Sequence, residues 1–520
     1  MSLATAKLPT DVEELRAFAA ALQSELYAKT LYIEKLKAQL AVLKRARFGQ
    51  SSEKLDRQID LLESVIGDLE EAEAENEARQ EAKAPPVARP KRERGNRNPL
   101  PAHLPREIIA HPGACACPAC GSQRLRKIAD DEREVLEYVP SHFKVVVHQR
   151  PKMSCRDCEA ISQPPMPSLP IERGRPGAGL IAHVAIAKFC DHLPLHRQSE
   201  IYAREGVELD RSTLADWLGR AAWLMRPLAE RIGDYARAGP TLHADDTPIP
   251  VQDPGRGRTR TGRLWVVVRD EKPWGSSNPQ AAYYRYSPDR KGEHAQALLA
   301  SARGYLHADA YAGFNKLYEP DPATGGPRLE PVACWAHARR ELFDEHARTR
   351  SPIPRQAMEK MAEIFAIERQ INGQSPKVRL QVRQTTSASL VAELKTFLET
   401  SLMRISRKST LAVAIRYSLV RWEALSRFLH DGRLEMTNNA AERAIRPLTL
   451  GRRNWTFLGS DAGGERAAVF FTIIQTCKLN GVNPEAYLAD VIGRIGDHPA
   501  NRIDELLPWN WSPPVQPQAE

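Results

Sequence analysis

Three acidic positions and one cluster of cysteines carry the chemistry that this sequence offers. Asp245 and Asp309 each end an apolar, strand-like run, Thr-Leu-His-Ala-Asp245 and Gly-Tyr-Leu-His-Ala-Asp309. The third acid, Glu442, lies in Glu435-Met-Thr-Asn-Asn-Ala-Ala-Glu-Arg-Ala-Ile-Arg-Pro447. That stretch reads as a helix start, because Thr437, Asn438 and Asn439 are N-cap types and the residues after them tolerate helix. Asn438, Glu442 and Arg446 then fall at i, i+4 and i+8, on one face. Taken alone, the segment is a solvated helix start with an ordinary Glu–Arg pair. Two strand-end aspartates and a helical glutamate can instead gather three carboxylates around divalent metal. Magnesium suits such a site, since it takes oxygen ligands, keeps several waters and needs few carboxylates. Glu435 lies outside the motif, and its neutralisation is expected to be nearly silent.

Five of the eight cysteines lie between Cys115 and Cys158. Clustering of this kind, in a chain that opens without a secretion pattern, reads as metal binding before disulfides. Cys117-Pro-Ala-Cys120 and Cys155-Arg-Asp-Cys158 form two C-x-x-C pairs, and four thiolates fit one tetrahedral zinc. A closed four-ligand sphere has no open position for catalysis, so the zinc is expected to be structural. The β-rich segments Glu134–Val139 and Phe143–Gln149 are expected to form a hairpin that joins two zinc knuckles. Cys115 is a spare thiol that competes as ligand. Cys190, Cys334 and Cys477 are scattered and read as buried thiols.

The elements that must position these groups are read from the rest of the chain. Its 520 residues imply several domains, and its net charge of +9 favours a polyanionic partner. No apolar run is long enough to span a bilayer, and Met1 to Thr10 carries no signal-peptide pattern, so a soluble cytoplasmic protein without a membrane partner is expected. Residues 1–82 read as coiled-coil helices. Leu15, Leu22, Leu36 and Leu43 share one heptad position, with Lys29 as the interruption, and Ala19, Leu26, Ile33 and Leu40 fill the other. Self-association through this seam is the expectation. Residues 83–101 form a basic, proline-rich linker, which is either only a linker or a strip that lies along DNA phosphates. The zinc-binding domain is placed at 102–165.

Residues 175–235 read as helical, with a short Gly-containing turn at Glu205–Asp210 between two helices. That is a helix-turn-helix pattern or a plain helical hairpin. Strands begin near Pro240, and the order βββαβαβα predicts a mixed α/β sheet with helices on its faces over 240–465. Asp245 and Asp309 are expected at carboxyl ends of strands, where sites form in such sheets. A helical insertion at 351–430 explains the distance between Asp309 and Glu442. Arg452 and Arg453, beside two aromatics in Gly451-Arg-Arg-Asn-Trp-Thr-Phe-Leu, belong either to a nucleic-acid contact or to a core β-segment. Residues 467–513 form a last helical element.

The whole set resembles a transposase of the insertion sequence 66 family. The segments that carry the resemblance are RFGQSSEK, the two C-x-x-C pairs, LPLHRQ with STLADW, LHADDTPI, HADAYAGFNKL, CWAHARREL, NNAAERAIRP and LNGVNPEAYLADVIGRIGDHPANRIDELLPWNW. The resemblance implies a ribonuclease-H-like catalytic domain with a D-D-E triad, which falls by position on Asp245, Asp309 and Glu442. It also implies an N-terminal zipper, a zinc-binding domain and accessory proteins of the same element. Thr437 stands where the family commonly has Asp, which bears on a helper contact and not on the triad. Asp246 is the rival of Asp245, and strand alternation puts the two on opposite faces. Cys334 and His337 resemble a C-x-x-H feature of other transposase groups. They are read either as a buried thiol and a surface histidine, or as groups that orient the ligands or touch DNA, like Asn438, Arg443 and Arg446.

The activity implied is DNA end binding at terminal inverted repeats, metal-dependent strand cleavage and strand transfer to target DNA. Two magnesium ions serve, with manganese as substitute. The alternatives are a DNA-binding regulator or inactive derivative, and a nuclease that cuts without joining.

Overall fold

The computed structural model describes residues 100, 102, 104–139, 142–171, 174–253, 258–320 and 327–513. The heptad seam, the acidic helix after it and nearly all of the basic linker lie outside the described residues. All described residues except Asp253 and Arg258 belong to one compact unit. It is mixed α/β, with two mixed sheets.

The first sheet holds β1 (Arg106–Ala110), β2 (Leu125–Val139), β3 (His142–Cys155) and β4 (Ile161–Ser162). β2 and β3 form an antiparallel hairpin far longer than the two segments expected, with Val139 opposite His142 at one end and Leu125 opposite Cys155 at the other. The inner end of β2 grips the start of the next helix. Leu136 accepts from Gly177 N–H at 2.8 Å, and Glu137 Oε1 accepts from Leu180 N–H at 2.6 Å, which satisfies a first-turn donor of that helix. A Cβ at Gly177 would lie 1.9 Å from the Glu137 carboxylate, so a side chain there would push that carboxylate out of its place at the helix start. Phe143 meets Tyr202 edge-on at 5.4 Å, so this sheet shares its core with the helices.

Those helices are α1 (Ala178–Phe189), α2 (Leu195–Arg204) and α3 (Arg211–Arg237). The turn between α2 and α3 holds Gly206 at φ 80°. α3 runs for 27 residues, and Gly233 near its end packs flat on the Tyr283 ring. It therefore joins a helix-turn-helix-like corner to the larger sheet.

The larger sheet has the order β7-β6-β5-β8-β9, from β5 (Thr241–Asp253), β6 (Arg258–Arg269), β7 (Ala281–Ser287), β8 (Gly304–Ala308) and β9 (Leu329–Ala333). β6 and β7 are antiparallel, while β5, β8 and β9 are parallel. α4 (Gly292–Leu298) precedes β8, and a short 3-10 turn at Ala312–Leu317 follows it.

The block after β9 is helical: α5 (Trp335–Thr349), α6 (Pro352–Gln370), α7 (Pro376–Val382), α8 (Ala388–Arg404), α9 (Thr410–Val420) and α10 (Trp422–Ser426). It has its own core around Trp335, Met361, Leu394, Leu398 and Phe428. Two arginines inside it are fully buried. Arg383 makes a two-pronged pair with Glu368, at 2.8 and 2.6 Å, and donates to the carbonyls of Phe428, Asp431 and Leu434. Arg379 donates to Pro273, Leu434 and Glu435. The planar guanidinium, with five donors in a fixed fork, suits this collection of carbonyls. Together they hold the segment 428–435 that leads into α11 (Asn439–Trp455).

α12 (Asp461–Leu479) continues without a break across 465–467, where a separate C-terminal element was expected to begin. Thr472 and Thr476 hydroxyls take the backbone N–H groups of Tyr284 and Ala282, at 2.9 and 3.2 Å, and so close the outer edge of β7. α13 (Pro484–Arg494) returns to α1, with His183 Nδ1 3.0 Å from Glu485, and Trp509 lies 4.5 Å from the Tyr235 ring. Among the described residues, no helix is long and apolar enough to cross a membrane.

Removing Arg383 deprives the Phe428 and Asp431 carbonyls of their guanidinium donor and leaves Glu368 with only Arg379, at 3.7 Å. We expect Arg383→Met to cost about 3–5 kcal/mol in urea unfolding, the usual loss when one partner of a buried pair is deleted. An unchanged midpoint would mean that the arginine cage does not hold the insertion.

Candidate active site

The two Leu-His-Ala-Asp runs lie side by side. β5 and β8 pair in parallel with His243 opposite His307, and the two imidazoles stack at 4.2 Å. Burial holds His243 well below its usual range and His307 down to about 4, so both are neutral. His307 Nδ1 donates to the Leu242 carbonyl and its Nε2 accepts from Glu435 N–H, each at 3.0 Å, which fixes its tautomer. Asp245 and Asp309 come two residues after these histidines, the strand period that returns a side chain to the same face.

β5 does not end at Asp245, contrary to expectation, but continues to Asp253. Its neighbour β8 is what ends, at Ala308. Asp245 thus lies where the parallel pairing stops and the sheet opens.

Asp245 Oδ1 accepts from Asp246 N–H at 2.7 Å, and Asp309 Oδ1 accepts from Tyr311 N–H at 3.0 Å. Burial, together with the charges of Asp309, Asp246 and Glu442, pushes Asp245 up to about 7. Asp246 is occupied elsewhere. Its buried carboxylate pairs with Arg263 at 2.9 Å and Arg290 at 2.8 Å. Arg290 also stands 3.8 Å from Asp309 and 4.2 Å over the Tyr311 ring.

Asn438 brings in the third acid. It is buried, donating from Nδ2 to the Ala244 carbonyl at 2.8 Å, with Oδ1 3.2 Å from His243 Nδ1. Its backbone N–H points to Cys334 Sγ at 3.3 Å. Asn438 is therefore held inside the protein and does not share an exposed face with Arg446. One turn later Glu442 Oε1 is buried with no hydrogen-bond partner, 3.8 Å from His337 Nδ1, which also has none. The Cys334 sulfur as hydrogen-bond acceptor first, and then the negative surroundings that include Glu442 and Asp309, push the His337 ring up to about 9 against its burial.

The arginines divide. Arg443 is two-thirds exposed, with Asp270 at 3.5 Å, and lines a 310 Å³ cavity with His243, Phe365, Arg369 and Asn439. Arg446 is exposed. Arg452 and Arg453 sit in the last turn of α11, and Arg452 donates to the Pro248 carbonyl at 2.5 Å. Of the core β-segment, one of the two readings there, the structure has only a bridge between Leu458 and Val251, the residues to Trp455 being helical. Glu435 is not a silent position. Its side chain meets the buried Arg379 at 2.5 Å and its N–H holds His307, so neutralising it disturbs the frame of the site. His243, His307, Arg263 and Arg290 received no role from sequence reasoning. The one available signal was the repeated Leu-His-Ala-Asp.

The four paired cysteines form a second centre. Cys117 and Cys158 sulfurs lie 3.2 Å apart, Cys120 and Cys155 3.6 Å apart, and all four lie within 4.8 Å of one another. A tetrahedral zinc with bonds of about 2.3 Å asks for sulfurs roughly 3.8 Å apart, so the set fits after small shifts. Each knuckle turns on a left-handed residue, Gly121 at φ 75° and Glu159 at φ 59°. Backbone N–H groups of Cys158 and Asp157 hold the Cys155 thiol down to about 6, favouring the thiolate that zinc needs. Cys115 is exposed and outside the cluster.

Purified protein should carry a zinc that is lost when Cys155 and Cys158 are both replaced by Ser; a zinc content equal to the parent's in that variant would refute the ligand set. In chelator, the folded chain keeps a proton on Asp245 that the unfolded chain has released above about pH 4. Its contribution to stability therefore falls as pH rises from about 4 to 7. Asp245→Asn should be more stable than the parent at pH 8, by about 2–4 kcal/mol, with the gap closing towards pH 4. A pH-independent gap would show that burial and the neighbouring carboxylates do not hold a proton on Asp245.

Comparison with known proteins gives matches along most of the chain. Residues 173–466 match the model described as the transposase IS66 family, and 472–509 match the IS66 C-terminal element. Residues 114–159 match the zinc-finger binding domain of transposase IS66, and 35–109 match a model described as transposase C of IS166 homeodomain. The chain is 42% identical to the uncharacterized protein y4hP of Sinorhizobium fredii over 506 residues, covering 94% of this chain and 89% of that protein. It is 37% identical to y4jD of the same organism over 518 residues, covering 98% of each.

Proposed function

The chain belongs to the transposase IS66 family, and from that premise we propose that it is a D-D-E DNA transposase whose triad is Asp245, Asp309 and Glu442. The observation that carries the reading is the buried Asp245, raised by its burial first and then by its acidic neighbours Asp309, Asp246 and Glu442. An acid raised to about 7 beside two further carboxylates, one with an orphaned oxygen, is the signature of a site built for cations. The oxygen-only donor set fits magnesium or manganese. Two such ions, held by the three carboxylates, would activate the attacking oxygen and stabilise the leaving oxygen of a phosphoryl transfer.

The chain's own groups do the rest. Asp246, neutralised by Arg263 and Arg290, stands aside as a structural pair. Arg443 and Arg446 lie exposed on the helix that bears Glu442 and suit DNA phosphates, while Arg452 braces that helix through Pro248. A meander of three strands followed by two parallel ones supports a ribonuclease-H-like catalytic domain. In this reading residues 240–465 hold that domain, with 351–430 as its insertion. The zinc module and the α2–α3 corner bind the terminal inverted repeats. Residues 1–82 mediate self-association, and accessory proteins of the same element join the complex. Water attacks first and frees a 3′ hydroxyl at the element end, which then attacks target DNA.

The test is Glu442→Gln in magnesium with an element-end substrate. End binding and folding should survive, while cleavage and joining should fall by orders of magnitude. Glu399→Gln is the control, because that exposed acid has only Lys395 at 4.0 Å. Near-normal cleavage by Glu442→Gln would overturn the triad. For the parent protein, a joined product marks a transposase, cutting alone a nuclease, and binding alone a regulator.

A further inference from the structure

We propose that Cys334, His337 and Glu442 form a second metal site on the edge of the first, one that takes zinc and, when filled, restrains the magnesium-dependent reaction. The restraint rests on the reading of Glu442 as a magnesium ligand; the binding does not.

The three ligand atoms, a sulfur, an imidazole nitrogen and a carboxylate oxygen, lie within 4.8 Å of one another. They come from two rigid elements. Cys334 directly precedes α5 and His337 is in its first turn, while Glu442 is in the first turn of α11. The N–H of Asn438, at 3.3 Å, holds the sulfur from the α11 side. His337 Nδ1 and Glu442 Oε1 face each other at 3.8 Å, both buried and both without a hydrogen-bond partner. Two buried polar atoms left unpaired at that separation ask for something between them. Ligands of a tetrahedral zinc, with bonds of about 2.0–2.3 Å, lie roughly 3.3–3.8 Å apart. The spacing suits an ion shared by the two atoms, with the sulfur as third ligand and one position left for water.

Chemistry separates the two sites. A thiolate with an imidazole selects zinc and similar ions, whereas magnesium takes oxygen. Asp245 and Asp309 supply only oxygen, so Glu442 is the group both sites claim. A Glu442 oxygen committed to zinc gives up negative charge that would otherwise hold magnesium, and the two cations repel. Zinc is therefore expected to weaken magnesium binding rather than to replace its function.

The experiment uses the full chain with its four-cysteine centre filled by one equivalent of zinc. Further zinc, and cobalt(II) as a coloured substitute, are titrated against it. One additional equivalent should bind, and cobalt should show a near-ultraviolet thiolate band. Cys334→Ser should remove that band, and His337→Asn, at a partly exposed position, should weaken binding by more than about a hundredfold, beyond the loss of an outer partner. The first zinc should be retained in both variants. A stoichiometry that stays at one, or cobalt binding unchanged in both variants, overturns the site. Low zinc should slow magnesium-dependent end cleavage several-fold in the parent and not in His337→Asn; equal inhibition of both overturns the restraint. Second-metal binding in a protein whose cleavage ignores Glu442→Gln would keep this site and sink the triad, and the reverse pattern would sink only this site.

Discussion

One buried amide joins the parts of the candidate site. Asn438 donates to Ala244 on β5, meets His243 through its oxygen, and directs its backbone N–H at the sulfur of Cys334. These partners are 194, 195 and 104 residues away in sequence. Each group is shielded from water, so leaving one unpaired costs about 1–3 kcal/mol. The amide therefore fixes where α11 begins, and with it the place of Glu442 one turn later. Everything that holds the approach to Asn438 serves the same end: the Arg379 and Arg383 cage, the Glu435 N–H on His307, and the Trp335 N–H on the Met436 carbonyl at 2.9 Å.

The helical insertion thus has a structural task. It separates Asp309 from Glu442 along the chain and then returns the chain, held by buried arginines, to the start of α11 against β5 and β8. Buried guanidinium groups are costly unless every donor is met. Here Arg383 spends its donors on Glu368 and three carbonyls of the returning segment, and Arg379 adds Leu434 and Glu435 while its Nε stays unpaired, so part of the cost serves placement.

Much of this was legible in the sequence, because the relevant signals are local. The apolar runs before Asp245 and Asp309 gave β5 and β8, the paired C-x-x-C motifs gave the cluster of four sulfurs, and the N-cap residues gave the start of α11. The periodicity of 351–430 gave helices. What stayed hidden depends on partners far away. Arg379 and Arg383 look like surface charges on a helix until the segment they hold is known. Glu435 looked idle because Arg379, 56 residues earlier, gives no local sign. The stacked histidines were in plain view in a repeated tetrapeptide, yet their role depends on the register of two strands. The length of the β2–β3 hairpin was underestimated because its outer half is polar and does not alternate.

The covered edge of β7 bears on how the chain is made. Its backbone N–H groups at Ala282 and Tyr284 wait for hydroxyls 194 and 188 residues further on. At about 5–20 residues per second, a ribosome needs roughly 10–40 s to deliver them. During that interval the nascent sheet has a bare strand at its margin and no Glu442 at its mouth. A chain cut short by a frameshift or a premature stop is left in that condition permanently. Such a fragment presents an open template for β-pairing, and so is exposed to aggregation or proteolysis. The fold couples completeness of the message to survival of the product.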